Sequence, residues 1–187
     1  MKQFFNRALI SIACISFLIG CNTMIKADTD LYEASNLKTR RESLFQSKEE
    51  GACFAADTLV MMADGSSKKI IAIKVGDKVK SFDIQTGKVM NTEVINIKNG
   101  FAGYYYVING GLKVTPPHPF CTPDNKWVKI KDLKEGQTVR VSGSVRKISS
   151  IEQKIEGRRI YNIYVKDNHT FFVSGDGKDF FLVKEWR

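Results

Sequence analysis

Histidine is almost absent from this chain: two in 187 residues, beside two tryptophans, four prolines and four cysteines. So little imidazole confines acid–base chemistry to very few positions. No apolar run reaches the roughly 20 residues of a comfortable membrane span; the stretch Ala8 to Ile19 is shorter and is broken by Ser11 and Ser16. After Cys53, no window of about a dozen residues carries a convincing helical period of 3.6, which argues against an α-helical fold. A basic stripe interleaved with aromatics is also missing. The formal net charge is +9, divided as +2 over residues 1–21, −1 over 22–52 and +8 over 53–187. In the last segment the adjacent basic pairs are Lys68-Lys69, Arg146-Lys147 and Arg158-Arg159, separated in sequence. A scattered excess of this kind reads as a soluble basic surface rather than a nucleic-acid interface.

What is there begins with "MKQFFNRALISIACISFLIGC". Lys2 and Arg7 precede the apolar stretch, the order of a secretory signal. Its end, Leu18-Ile19-Gly20-Cys21, resembles the bacterial lipobox: an aliphatic residue, a variable one, a small one, then cysteine. The resemblance implies a signal peptide over residues 1–21 ending in the lipobox cysteine, lipid on Cys21 and removal of residues 1–20. The mature protein would then be an exported, membrane-anchored bacterial lipoprotein, periplasmic or at the cell surface. Asn22 lacks the aspartate that often retains such proteins at an inner membrane, so the outer one is favoured where two exist. Residues 22–52 are polar, with Leu31, Leu37 and Leu44 too sparse for an apolar stripe; they read as a tether.

Residues 53–187 read as strands. "DTLVMM", "KKIIAI", "KVKSFD", "TEVINI", "YYYVI", "LKVT", "KWVKI", "TVRVSG", "RIYNIYV", "TFFVSG" and "FFLVKEW" are short and rich in β-branched and aromatic residues. Turn signals separate them at Asp64-Gly65, Thr86-Gly87, Asn99-Gly100, Gly110-Gly111, Asp124-Asn125 and Asp176-Gly177. The expectation is an antiparallel, all-β domain. A weak internal echo links Ile70–Asp83 with Trp127–Gly143 and suits two similar halves.

Few residues in this domain can do chemistry. Removal of the signal deletes Cys14 and lipid occupies Cys21, leaving the thiols of Cys53 and Cys121. Thr115 lies three residues before His118, with Pro116 and Pro117 stiffening the backbone between them. A rigid loop of this kind points a hydroxyl and an imidazole at one target, although a turn histidine without a role has the same spacing. In "YNIYVKDNHTFFVSG", alternation places Asn162 and Tyr164 opposite Tyr161, Ile163 and Val165, and His169 follows a turn. Cys53, Cys121, His118 and His169 contain the ligand types of a Cys₂His₂ zinc site, but not the spacing of a finger. No metal or other cofactor is expected. A Cys53–Cys121 disulfide in an oxidising compartment would silence the first thiol.

Taken together, "CFAADTLVMMADGSSKKIIAIKVGDKV", "VTPPHPF" and "YNIYVKDNHTFFV" resemble the Hint family of hedgehog autoprocessing domains, inteins and bacterial intein-like proteins. The resemblance spans residues 53–187. It implies a horseshoe-like all-β fold with pseudo-twofold halves, and it assigns roles to particular residues. Cys53 matches the nucleophile, Thr115 and His118 the T-x-x-H block, and Asn162 and His169 the later block. The implied reaction is an N-to-S acyl shift at the Ala52–Cys53 bond, with the chain's own upstream segment as substrate. Where splicing members end in His-Asn, this chain has Lys184-Glu185, followed only by Trp186 and Arg187. Neither residue forms the asparagine's ring, so N-terminal autocleavage without splicing is expected, with water or another nucleophile as acceptor. The alternative is an inactive module serving as a membrane-anchored structural or binding domain.

Overall fold

The computed structural model describes residues 51–185. The chain divides into Met1–Gln46 and Ser47–Arg187, and all described residues belong to the second unit. The signal segment, Cys21, residues 22–50 of the tether, and Trp186 and Arg187 lie outside the described residues.

Among the described residues there are fifteen strands: β1 (Phe54–Ala55), β2 (Leu59–Met61), β3 (Ser67–Lys69), β4 (Lys78–Asp83), β5 (Lys88–Ala102), β6 (Tyr105–Ile108), β7 (Leu112–Val114), β8 (Pro119–Cys121), β9 (Trp127–Lys129), β10 (Thr138–Val141), β11 (Ser144–Lys147), β12 (Ile151–Lys154), β13 (Arg158–Val165), β14 (Thr170–Ser174) and β15 (Phe181–Lys184). One sheet runs β12-β6-β7-β1-β13-β5-β4; the other runs β11-β10-β15-β14-β2-β3, with β8 joining β15 to β9. The strand pairings are antiparallel, as the short alternating runs predict. Phe54, Val60, Phe120, Phe171, Val173 and Val183 are among the buried side chains of the main core. Each large apolar side chain removed from water contributes about 1.5–3 kcal/mol.

Two sequence expectations fail locally. Asn99-Gly100 is not a turn, because β5 continues through it to Ala102, with Gly100 opposite Ile160 on β13. A long partner strand supplies the ladder that outweighs the local turn preference. "KKIIAI" is not one strand either: β3 ends at Lys69, and Ile70–Ala72 form a 3-10 turn.

The internal echo is a structural repeat with an offset of 60 residues. Leu59 pairs with Lys69 as Pro119 pairs with Lys129. Ile70–Ala72 and Ile130–Asp132 are matching 3-10 turns. Gly76 N–H donates to the Val94 carbonyl at 2.8 Å, and Gly136 N–H to the Ile148 carbonyl at 2.8 Å. Both glycines have left-handed backbones, φ 92° and 89°, which suit glycine at that position. The same offset relates Ala55 and Thr58 to Thr115 and His118: Thr58 N–H donates to the Ala55 carbonyl at 3.1 Å and His118 N–H to the Thr115 carbonyl at 3.2 Å. The fold makes this turn twice, and only one copy carries a threonine and a histidine at those two places.

Candidate active site

Strand β1 lies between β7 and β13, so Cys53, the residue before it, enters the middle of the seven-stranded sheet. Phe54 pairs with Val114 on one side and Tyr161 on the other. That register brings Thr115, the residue after β7, alongside Cys53. Thr115 N–H donates to the Cys53 carbonyl at 3.0 Å, and Cys53 N–H donates to Thr115 Oγ1 at 2.8 Å. The hydroxyl lies 3.2 Å from both the Gly51 and Cys53 carbonyl oxygens, so its single proton is shared between two acceptors. Thr115 therefore grips the chain on both sides of the Ala52–Cys53 bond and holds the nitrogen of that bond directly. Its contacts do not include the Ala52 oxygen.

His118 is fully buried in an aromatic box. Its ring centroid lies 4.1 Å from that of Phe54, 6.3 Å from Phe120 and 6.4 Å from Phe171. Burial pushes the imidazole pKa down to about 3, with the Ala52 backbone partly opposing the shift. At neutral pH the ring is uncharged. Neither ring nitrogen has a partner of good hydrogen-bond geometry. A buried imidazole whose only polar neighbour, the Ala52 backbone, is poorly aligned with it is costly to keep, and such groups mark sites with work to do. The box also explains the position: Pro116 and Pro117 fix the turn, while Ile130 N–H donates to the His118 carbonyl at 2.9 Å from the opposite side.

Asn162 sits on β13, one residue beyond the partner of Phe54; continued by one residue, that register places it across from Cys53. Asn162 is buried, and its Oδ1 has no hydrogen-bond partner. The structure thus brings Ala52, Cys53, Thr115, His118 and Asn162 into one neighbourhood.

His169 has a different neighbour. It follows Asn168, both residues with φ 56°, and its Nδ1 lies 2.8 Å from Glu185 Oε1. The Glu185 carboxylate is buried and also accepts Val165 N–H at 2.7 Å, while Glu185 N–H donates to the His169 carbonyl at 2.9 Å. Glu185 is thus an integrated tie between the end of β13, the turn before β14 and the chain after β15. Cys121 lies with Phe172 and Leu182, and Cys53 with Ala102 and Ile160; both residues are thiols. Burial raises the Cys121 pKa, as expected for a packed rather than reactive thiol. The Cys₂His₂ set does not assemble: no group of three or more metal-binding side chains occurs among the described residues.

Sequence reasoning overlooked the aromatic box. Its signal was present, since Phe54 follows Cys53, Phe120 closes "HPF" and Phe171 lies in "HTFF". It also took Glu185 only as a missing asparagine.

The pretoxin Hint domain pattern matches residues 59–180, well over half of the chain. The chain belongs to the pretoxin Hint family. Among solved structures, this Hint chain is similar to the bacterial intein-like domain from Clostridium thermocellum, at 29% identity over 71% of this chain and 98% of that one, with a TM-score of 0.65. It is also similar to the gp41-1 intein, at 27% identity over 73% of this chain and 100% of that one, TM-score 0.57. A DnaB intein from Synechocystis shares the fold at 18% identity, covering 73% of this chain and 99% of its own, TM-score 0.59. Comparison with curated proteins gives no match. In this Hint fold Cys53 precedes a central strand and is fixed by neighbours on both sides.

Proposed function

We propose that this Hint domain processes its own chain at the Ala52–Cys53 bond. Cys53 Sγ attacks the Ala52 carbonyl carbon, and the amide becomes a thioester. Neutral His118 takes the thiol proton and returns it to the Cys53 nitrogen as the C–N bond breaks. Its low pKa makes the transient imidazolium a strong acid towards the departing nitrogen, and the ring starts and finishes neutral. Positioned proton transfer of this kind contributes about 10²–10⁴-fold. Thr115 keeps the peptide from turning away from the sulfur. The single observation carrying the reading is Thr115 Oγ1, 2.8 Å from the Cys53 nitrogen, with the buried His118 imidazole against the Ala52 backbone.

Resolution of the thioester by water or another external nucleophile would separate the segment ending at Ala52 from Cys53–Arg187. With lipid on Cys21, the upstream peptide would stay on the bacterial membrane. No splicing follows, because Glu185 stands where splicing members carry asparagine and is engaged with His169 and Val165. That same tie favours a second reading, an inactive membrane-anchored module held shut at its C-terminal end. Hydroxylamine separates the two. Under the first, the purified protein yields an Ala52 hydroxamate and a domain starting at Cys53, and Cys53→Ala yields neither. Under the second, wild type and Cys53→Ala both remain intact.

A further inference from the structure

A thioester at Ala52 needs an acceptor, and the chain holds an amine beside it. Lys98 on β5 is in register with Asn162 on β13, the residue across from Cys53. Lys98 Nζ lies 3.4 Å from the place where a β-carbon on Gly51 would sit. The amine therefore rests against the backbone one residue upstream of the reacting acyl group. Consecutive Cα atoms are about 3.8 Å apart, a shift that the four-carbon lysine stem can cover by rotation. Glycine at position 51 places no side chain in the way. Lys98 takes part in none of the ion pairs among the described residues. The buried, unpartnered Oδ1 of Asn162 is an acceptor able to orient an amine N–H from the neighbouring strand.

We propose that Lys98 is the resident acyl acceptor, so that processing converts the Ala52–Cys53 peptide bond into an Ala52–Lys98 isopeptide bond. The proposal rests on the thioester reading above. Lys98 Nζ, having lost a proton to solvent, donates its lone pair to the Ala52 carbonyl carbon. The C–Sγ bond breaks with its electron pair on sulfur, which takes up a proton, and the new amide nitrogen gives up one. The Cys53 α-amine, released in the acyl shift, is protonated by solvent. No atom is gained or lost overall: one amide replaces another, and the product has the mass of the precursor. The upstream segment stays covalently attached to the β-domain, now as a branch, so a lipid anchor on that segment would be kept.

Tryptic mapping of the purified full chain, without added thiol, tests this. The expected product is Val89–Lys113 uncleaved at Lys98 and carrying Glu49–Ala52 on that lysine, together with a new α-amine at Cys53 and an unchanged intact mass. Lys98→Arg, which keeps the charge but offers no acylable amine, should abolish the branched peptide and give two separate chains instead. A Cys53 α-amine with no branched peptide, and the same products from Lys98→Arg and wild type, would overturn the acceptor while leaving the thioester in place. No Cys53 α-amine under any condition, hydroxylamine included, would overturn both.

Discussion

The buried, neutral state of His118 makes a quantitative claim about acid stability. The unfolded chain protonates this side chain near its ordinary pKa of 6.5, while the folded one resists until about 3. Between those values the unfolded state binds the extra proton, so stability is complete above about pH 6.5 and falls as the pH drops. The whole interval between 6.5 and about 3 corresponds to a ceiling of about 5 kcal/mol. By about pH 5 the loss is about 2 kcal/mol, before most carboxylates titrate. The assay is urea unfolding at about pH 7.5 and 5, in a Cys53→Ala background that removes processing. The comparison is His118→Phe, which fills the box formed by Phe54, Phe120 and Phe171 without a titrating group. The parent should lose about 2 kcal/mol more than the variant between the two pH values. The difference between slopes matters, because any change in baseline packing cancels and His169 is common to both proteins. Equal losses in the two would refute a buried, neutral His118.

Three other outcomes follow from the same geometry. Thr115→Ala removes the acceptor of the Cys53 N–H and should slow Cys53 α-amine formation by about 10²–10³, with Thr115→Ser recovering most of the rate; time courses of hydroxylamine trapping check it. Glu185→Ala strips a buried partner from His169 and Val165 and should lower stability by about 1–3 kcal/mol in urea without abolishing Cys53 α-amine formation. Gly175→Ala should destabilise by about 1–3 kcal/mol, because its β-carbon would lie 2.2 Å from the Gly111 backbone where the end of β14 meets the turn before β7; thermal melting measures it.

How far the sequence could be read depended on whether a feature was local. Strand runs such as "TFFVSG" and "RIYNIYV" became β14 and β13 because their composition and their tertiary partners agree. The T-x-x-H turn was legible because two prolines specify its backbone. The Asn99-Gly100 signal misled because β5 is fixed by β13, a partner some 60 residues away that no local window contains. The aromatic box was invisible for the same reason: Phe54, Phe120 and Phe171 come from three distant segments. Glu185 looked like a lost catalytic residue, since a string of letters does not reveal a buried carboxylate tied to His169. Lys98 carried no motif at all. Only the pairing of β5 with β13, next to β1, brings its amine to Gly51.

The central claim is that the Cys53 sulfur takes over the acyl group from its own nitrogen, and every route onward from that step leaves an N-terminal cysteine. Condensation with 2-cyanobenzothiazole, which is selective for a 1,2-aminothiol, reads this directly. Incubated wild-type protein should acquire the label at Cys53, dithiothreitol should accelerate its appearance, and Cys53→Ser and His118→Ala should leave the chain unlabelled. Wild-type protein that stays unlabelled after prolonged incubation with dithiothreitol, while folded, would contradict it.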